Sequence, residues 1–267
     1  MKVMKLISLL FSLLLLIVSP GWAQQPSRMT DDEVKKLIDD AVKTSDKFRD
    51  AFKKVSSITT RAGVQVDVKQ YMKDYQDTFN RFKDSFDSKR TPSSDLLNLF
   101  RMTGEIDGVM TRNPDAAGAG SEWQAHKFNM DSLAKAFRTS LEEGAPPPRR
   151  MSDDQVKALM EQLKEGSKTL GKSVKDAMKK DTSIDKNTAT ATGQSLKLLE
   201  KSAETLRNLF NDKKPLSVEM QGFLKQMDVV KAFLTEHQLS TAVQSQWNAL
   251  EGKSKQMTDE YGITLPN

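Results

Sequence analysis

The chain of 267 residues contains no cysteine. Disulfides, thiolate metal sites, thiol catalysis and thioether-linked haem are excluded together, and stability has to come from a packed core. Histidine is nearly as scarce. His126 and His237 are the only two, so centres built from several imidazoles have no material. Neither lies in an HExxH, no Gly-x-Ser-x-Gly occurs, and no glycine loop is placed to cradle a phosphate. Gly118-Ala119-Gly120 has no strand before it and reads as a turn. The Glu-x-x-His pair of di-metal bundles is absent as well. Runs of one charge sign are missing: acids and bases alternate finely, as in DDEVKKLIDD. The net charge of +5 is spread over the whole chain, with no basic tract to grip nucleic acid, so nucleic acid is not an expected partner.

Long apolar runs are limited to one. Lys2 and Lys5 precede Leu6–Val18, after which Ser19-Pro20-Gly21 breaks the helix and Trp22-Ala23 offers a small residue for cleavage. The run is about 13 residues where a membrane span needs about 20. These three parts read as a signal peptide over residues 1–23, cleaved after Ala23, with no transmembrane segment in the mature chain. The expected location is the periplasm or the outside of the cell.

What is present is a sequence written twice. Arg28–Leu37 reads RMTDDEVKKL and Arg150–Leu159 reads RMSDDQVKAL, 122 residues apart, with seven of ten positions identical. The apolar stripe Val34, Leu37, Ile38, Ala41, Ser45, Phe48, Phe52, Val55 is matched by Val156, Leu159, Met160, Leu163, Ser167, Leu170, Val174, Ala177 at the same offset. Its alternation of three and four is one face of an α-helix. Three further stripes repeat at similar offsets, broken at Thr91-Pro92 and Lys214-Pro215. The expected fold is all-α: two tandem up-down-up-down four-helix bundles arising by internal duplication, residues 28–143 and 150–263, joined by the Pro-rich linker 144–149. The alternative is one continuous layer of eight helices sharing a core. Thr30…Glu33 and Ser152…Gln155 are capping boxes, with Met29 and Met151 placed to staple onto Val34 and Val156. A first helix of about 27 residues is expected, and no β-pattern is evident.

Within this frame few residues invite chemistry. Trp123, His126 and Trp247 open the fourth helices, and they are the candidate ligand residues; on the stripe they also fit core positions. Glu122 and His126 stand one turn apart, yet nothing else converges to hold a metal. Asp107 and Asp228 occupy matching places in separate units, too far apart to act as an acid–base pair. Mid-stripe, Ser45 and Ser167 either leave a notch opposite a large residue or bond to the carbonyl four residues back. In size and class each unit resembles the soluble bundle cytochromes, but the cysteine attachment signature is missing and Met29 and His126 fall at opposite ends. No catalytic residue, metal or cofactor is expected. The expected function is a non-catalytic binding or scaffolding role with another envelope or extracellular protein as partner. The alternative is carriage of a small apolar ligand inside a bundle. The first unit is the better candidate, being rich in Phe48, Phe52, Phe79, Phe82, Phe86, Phe100, Phe128 and Phe137.

Overall fold

The computed structural model describes residues 28–53, 55, 57–59, 63, 65–89, 94–142 and 144–263. The expected signal peptide over residues 1–23, with its expected cleavage after Ala23, and the Thr91-Pro92 break lie outside them. The described residues are helical almost throughout. The helices are α1 (Asp31–Phe52), α2 (Val68–Asp87), α3 (Ser94–Arg112), α4 (Gly120–Ala136), α5 (Asp153–Met178), α6 (Lys186–Asn211), α7 (Ser217–Glu236) and α8 (Thr241–Tyr261), with a 3-10 segment Pro114–Ala119 leading into α4. Among the described residues no helix is long and apolar enough to cross a membrane. Two details differ from the sequence expectation. The first helix of the first unit has 22 residues, not 27. Its place is continued by an antiparallel pair, β1 (Ser57–Thr59) and β2 (Gln65–Asp67), in the register Ser57↔Asp67 and Thr59↔Gln65. Strands of three residues are too short to show an alternating pattern.

Helix starts follow the local code. The Thr30 side chain accepts from the Glu33 N–H at 3.2 Å while Glu33 reaches back to the Thr30 N–H at 2.7 Å. Ser152 and Gln155 repeat this at 3.2 and 2.8 Å. Each box satisfies two of the donors that a helix N-terminus leaves open.

The chain divides into two compact units, residues 28–162 and 163–263, so the boundary falls inside α5. In the first unit α1 packs on α2 and α4, and α3 packs on the same two helices. Side-chain pairs trace the directions. Lys35 meets Asp87 and Arg49 meets Gln76, so residue numbers rise on α1 as they fall on α2. Arg81 with Asp95 and Tyr71 with Glu105 give the same opposed order for α2 and α3. The core is the predicted stripe set, including Ile38, Phe48, Phe79, Phe82, Leu99 and Ile106. Phe128 departs from it: counted by sequence among the interior rings, it stands 71% exposed.

Both copies of the RMxDD motif belong to this unit and clasp each other reciprocally. Arg28 donates to the Asp153 carboxylate and the Met151 carbonyl; Arg150 donates to the Asp31 carboxylate and the Met29 carbonyl. The Asp31 N–H donates to Asp153 at 2.9 Å and the Asp153 N–H to Asp31 at 2.9 Å. Burial, and then the Arg28 charge beside it, lowers the pKa of Arg150, while Asp31 and Asp153 oppose the shift. Acidic groups at two helix N-termini are also favoured by the helix dipoles. The repeated methionines thus contribute backbone carbonyls to the clasp, and Met29 keeps 36% exposure.

The second unit buries Leu170, Val174, Leu199, Phe223, Met227 and Leu250. At Gly166 of α5 an added Cβ would meet Leu250 of α8 at 3.3 Å, and at Gly171 it would meet Leu196 of α6 at 3.8 Å. The missing side chains therefore let those helices approach closely.

Candidate functional site

The first unit holds the two candidate residues Trp123 and His126, and both are buried in its core. His126 faces inward from α4 because it occupies the a/d-like stripe shared with Met130 and Leu133. Its Nδ1 lies 3.1 Å from Thr44 Oγ1 on α1, and its Nε2 lies 2.7 Å from the Tyr75 hydroxyl on α2. Tyr75 in turn lies 2.8 Å from Thr103 Oγ1 on α3. One assignment of protons fits the ring: Tyr75 donates to Nε2 and Nδ1–H donates towards Thr44, while the single Thr103 hydroxyl proton lies between Tyr75 Oη and the Leu99 carbonyl, each 2.8 Å away. Asn129 adds a donation to Thr44 at 3.1 Å. All four helices thus contribute to one buried polar chain.

Aromatic rings enclose this chain. Phe48 stacks parallel to the imidazole at 6.4 Å, Tyr75 meets it edge-on at 5.7 Å, and Phe79 and Trp123 close the remaining sides at 6.2 and 5.8 Å. No charged group faces the ring from these neighbours. Burial therefore dominates and pushes the His126 pKa down to about 4. The Tyr75 hydroxyl is raised well above its ordinary value by burial, partly offset by Thr103. A neutral histidine with both nitrogens occupied, beside a tyrosine that keeps its proton, has no free position for a ligand or a transferred proton.

Trp123 is likewise held inside. Its Nε1–H donates to Asp107 at 2.9 Å, and Asp107 also accepts from Lys127 at 2.7 Å. Trp247 is buried in the second unit. Glu122 turns to Ser121, which donates to it at 2.7 Å, and makes no pair with His126. Among the described residues no group of three or more His, Cys, Asp or Glu is arranged to hold a metal.

Sequence reading passed over Thr44, Tyr75 and Thr103 as chemistry. A signal for them existed. The corresponding positions of the second unit, 121 to 124 residues later, are Gly166, Leu199, Leu224 and Leu250. None of the four residues at those offsets carries a polar side chain, so polarity at all four positions is confined to the first unit.

An open feature of the first unit lies beside this network. A cleft of 210 Å³ between α1 and α2 is lined by Val42, Ser45, Asp46, Arg49, Gln76, Asp77, Phe79 and Asn80. The two serines of the sequence behave differently here. Ser167 donates to the Leu163 carbonyl at 2.8 Å, the bond four residues back. Ser45 lines the cleft, and its buried hydroxyl has no partner. No family model, curated protein or solved structure matches the chain.

Proposed function

We propose that the chain is an exported, non-catalytic binding protein. In this reading residues 1–23 are removed after Ala23 and two four-helix units, related by duplication and each running up-down-up-down, present their outer faces to a partner of the cell envelope or extracellular space. The observation that carries it is a repeated surface feature. Leu97 in the first turn of α3 is 49% exposed, and Val218, at the matching place 121 residues later in α7, is 78% exposed. Matching core residues are required by packing, but an aliphatic side chain standing in water at the same place in both copies contributes nothing to either core. A contact made once by each copy gains avidity when both engage. Phe128, exposed on α4, adds a large apolar anchor of the kind that dominates protein interfaces.

The test is capture from an envelope extract with the wild-type chain, Leu97→Asp, Val218→Asp and the double variant. Each single change is expected to weaken retention of a specific partner about a hundredfold through lost avidity, and the double variant to abolish it. Retention by the double variant at wild-type strength, with helicity unchanged, would refute the reading.

A further inference from the structure

We infer that the α1–α2 cleft of the first unit is a binding site for a small organic cation: a primary ammonium on a short apolar arm whose far end carries a hydrogen-bonding group. This goes beyond partner binding, and it differs from an apolar ligand held inside the bundle.

Size comes first. The cleft's 210 Å³ equals the liquid volume of about seven waters, enough for a molecule of about ten heavy atoms. Depth comes next. Phe79 and Ser45 are buried and form the floor, with Val42 half-buried beside them, while Asp46, Asp77 and Asn80 stand exposed at the rim. An aromatic and an aliphatic wall below with polar groups above suit an amphipathic molecule entering arm first.

The rim decides the charge. Two carboxylates face one guanidinium, and that guanidinium is already used. Arg49 donates to Gln76 Oε1 at 2.8 Å and lies 3.4 Å from Asp46, while Gln76 donates its amide to Asp46 at 2.6 Å. Asp77 engages no partner among the described residues. The uncompensated charge is therefore negative, and it attracts a cation.

The floor decides the arm's far end. Ser45 lacks a partner because the network behind it has taken its usual acceptor. The carbonyl four residues back is Ala41, which already accepts from Thr44 Oγ1 at 3.0 Å. In the second unit Gly166 replaces Thr44, the carbonyl is free, and Ser167 uses it. The inferred site requires the buried Ser45 hydroxyl to turn about its Cα–Cβ bond to a staggered position that opens onto the cleft, where a ligand atom completes it. The second unit has Lys164, Lys168, Gly171, Lys201 and Ala203 at the matching positions, so wall, charge and arginine are all replaced.

Tyramine has the inferred parts, and its relatives lack them singly. Calorimetric titration of the purified protein is expected to show tyramine binding, phenethylamine binding about tenfold more weakly for want of one hydrogen bond, and no binding of 4-hydroxyphenylacetate, whose charge is reversed. Ser45→Ala should erase the preference for tyramine over phenethylamine. Asp77→Asn, at an exposed position that leaves folding intact, should weaken both amines about tenfold. Circular dichroism verifies that each variant is folded. Absence of tyramine binding at millimolar concentration, equal binding of the anion, or a tyramine preference that survives Ser45→Ala would each overturn the inference.

Discussion

Four positions paired by the sequence offset of 121 to 124 residues are filled in opposite ways in the two units. In residues 28–162 they are Thr44, Tyr75, Thr103 and His126, linked by hydrogen bonds. In residues 163–263 they are Gly166, Leu199, Leu224 and Leu250, and Gly166 lies against Leu250 as Thr44 lies against His126. A helical stripe thus specifies which positions are inside, but not whether they are polar. Burying polar groups is tolerated only when every member finds a partner. The network therefore appears or disappears as a block. The nearby salt bridges show a milder version: Lys127 meets Asp107 between α4 and α3, whereas Lys231 meets Glu251 between α7 and α8, with the signs exchanged between the helices.

The strongest way to break the comparison is to remove one member. His126→Ala leaves a cavity and strands both Tyr75 and Thr44, and it should destabilise the first unit by about 3–5 kcal/mol. Denaturant unfolding should show the second unit's transition unmoved, because additivity holds for distant sites.

Acid should act on the same unit. His126 is neutral in the folded protein down to pH about 4, against an ordinary value of 6.5. Between those values the unfolded chain binds more protons, so stability rises with pH across the window and is lost as pH falls from 6.5 towards 4. The full loss is about 3 kcal/mol. The second unit, with leucine at that position, lacks this contribution, and unfolding curves at pH 7 and pH 4.5 separate the two.

Much of the fold was legible from spacing. The stripes from Val34 to Phe52 and from Val156 to Val174 are buried as their three-four alternation predicts, with Leu37 alone half-buried, and both capping boxes are made. The notch at Ser45 was legible as one of two options, because a serine on a core stripe either opens space or bonds its own helix. Other features depend on neighbours that a single stripe does not name. Thr44 is one residue off the stripe and owes its role to His126, 82 positions later. The motif RMxDD is visible twice, but its second copy is what the first one grips. The paired strands Ser57–Thr59 and Gln65–Asp67 have too few residues for a pattern.

A gentler change sharpens the contrast. Tyr75→Phe keeps the ring and removes one hydroxyl, leaving His126 Nε2 without its donor. The expected loss is about 1–3 kcal/mol, read by thermal unfolding. Smaller still is Ser45→Ala. Its hydroxyl has no partner, so the change should be neutral or stabilising by up to about 1 kcal/mol, whereas Ser167→Ala removes a made bond and should destabilise by about 0.5–1 kcal/mol.

The most direct measurement transplants one filling into the other. The quadruple variant Thr44→Gly, Tyr75→Leu, Thr103→Leu, His126→Leu gives the first unit the residues of the second. Its unfolding free energy should fall by less than His126→Ala alone, since no buried polar group is stranded, and its loss of stability between pH 6.5 and 4.5 should shrink by the histidine's share. A quadruple variant that is less stable than His126→Ala, or that keeps the wild-type acid sensitivity, would show that the polar network is not an interchangeable filling of a shared helical frame.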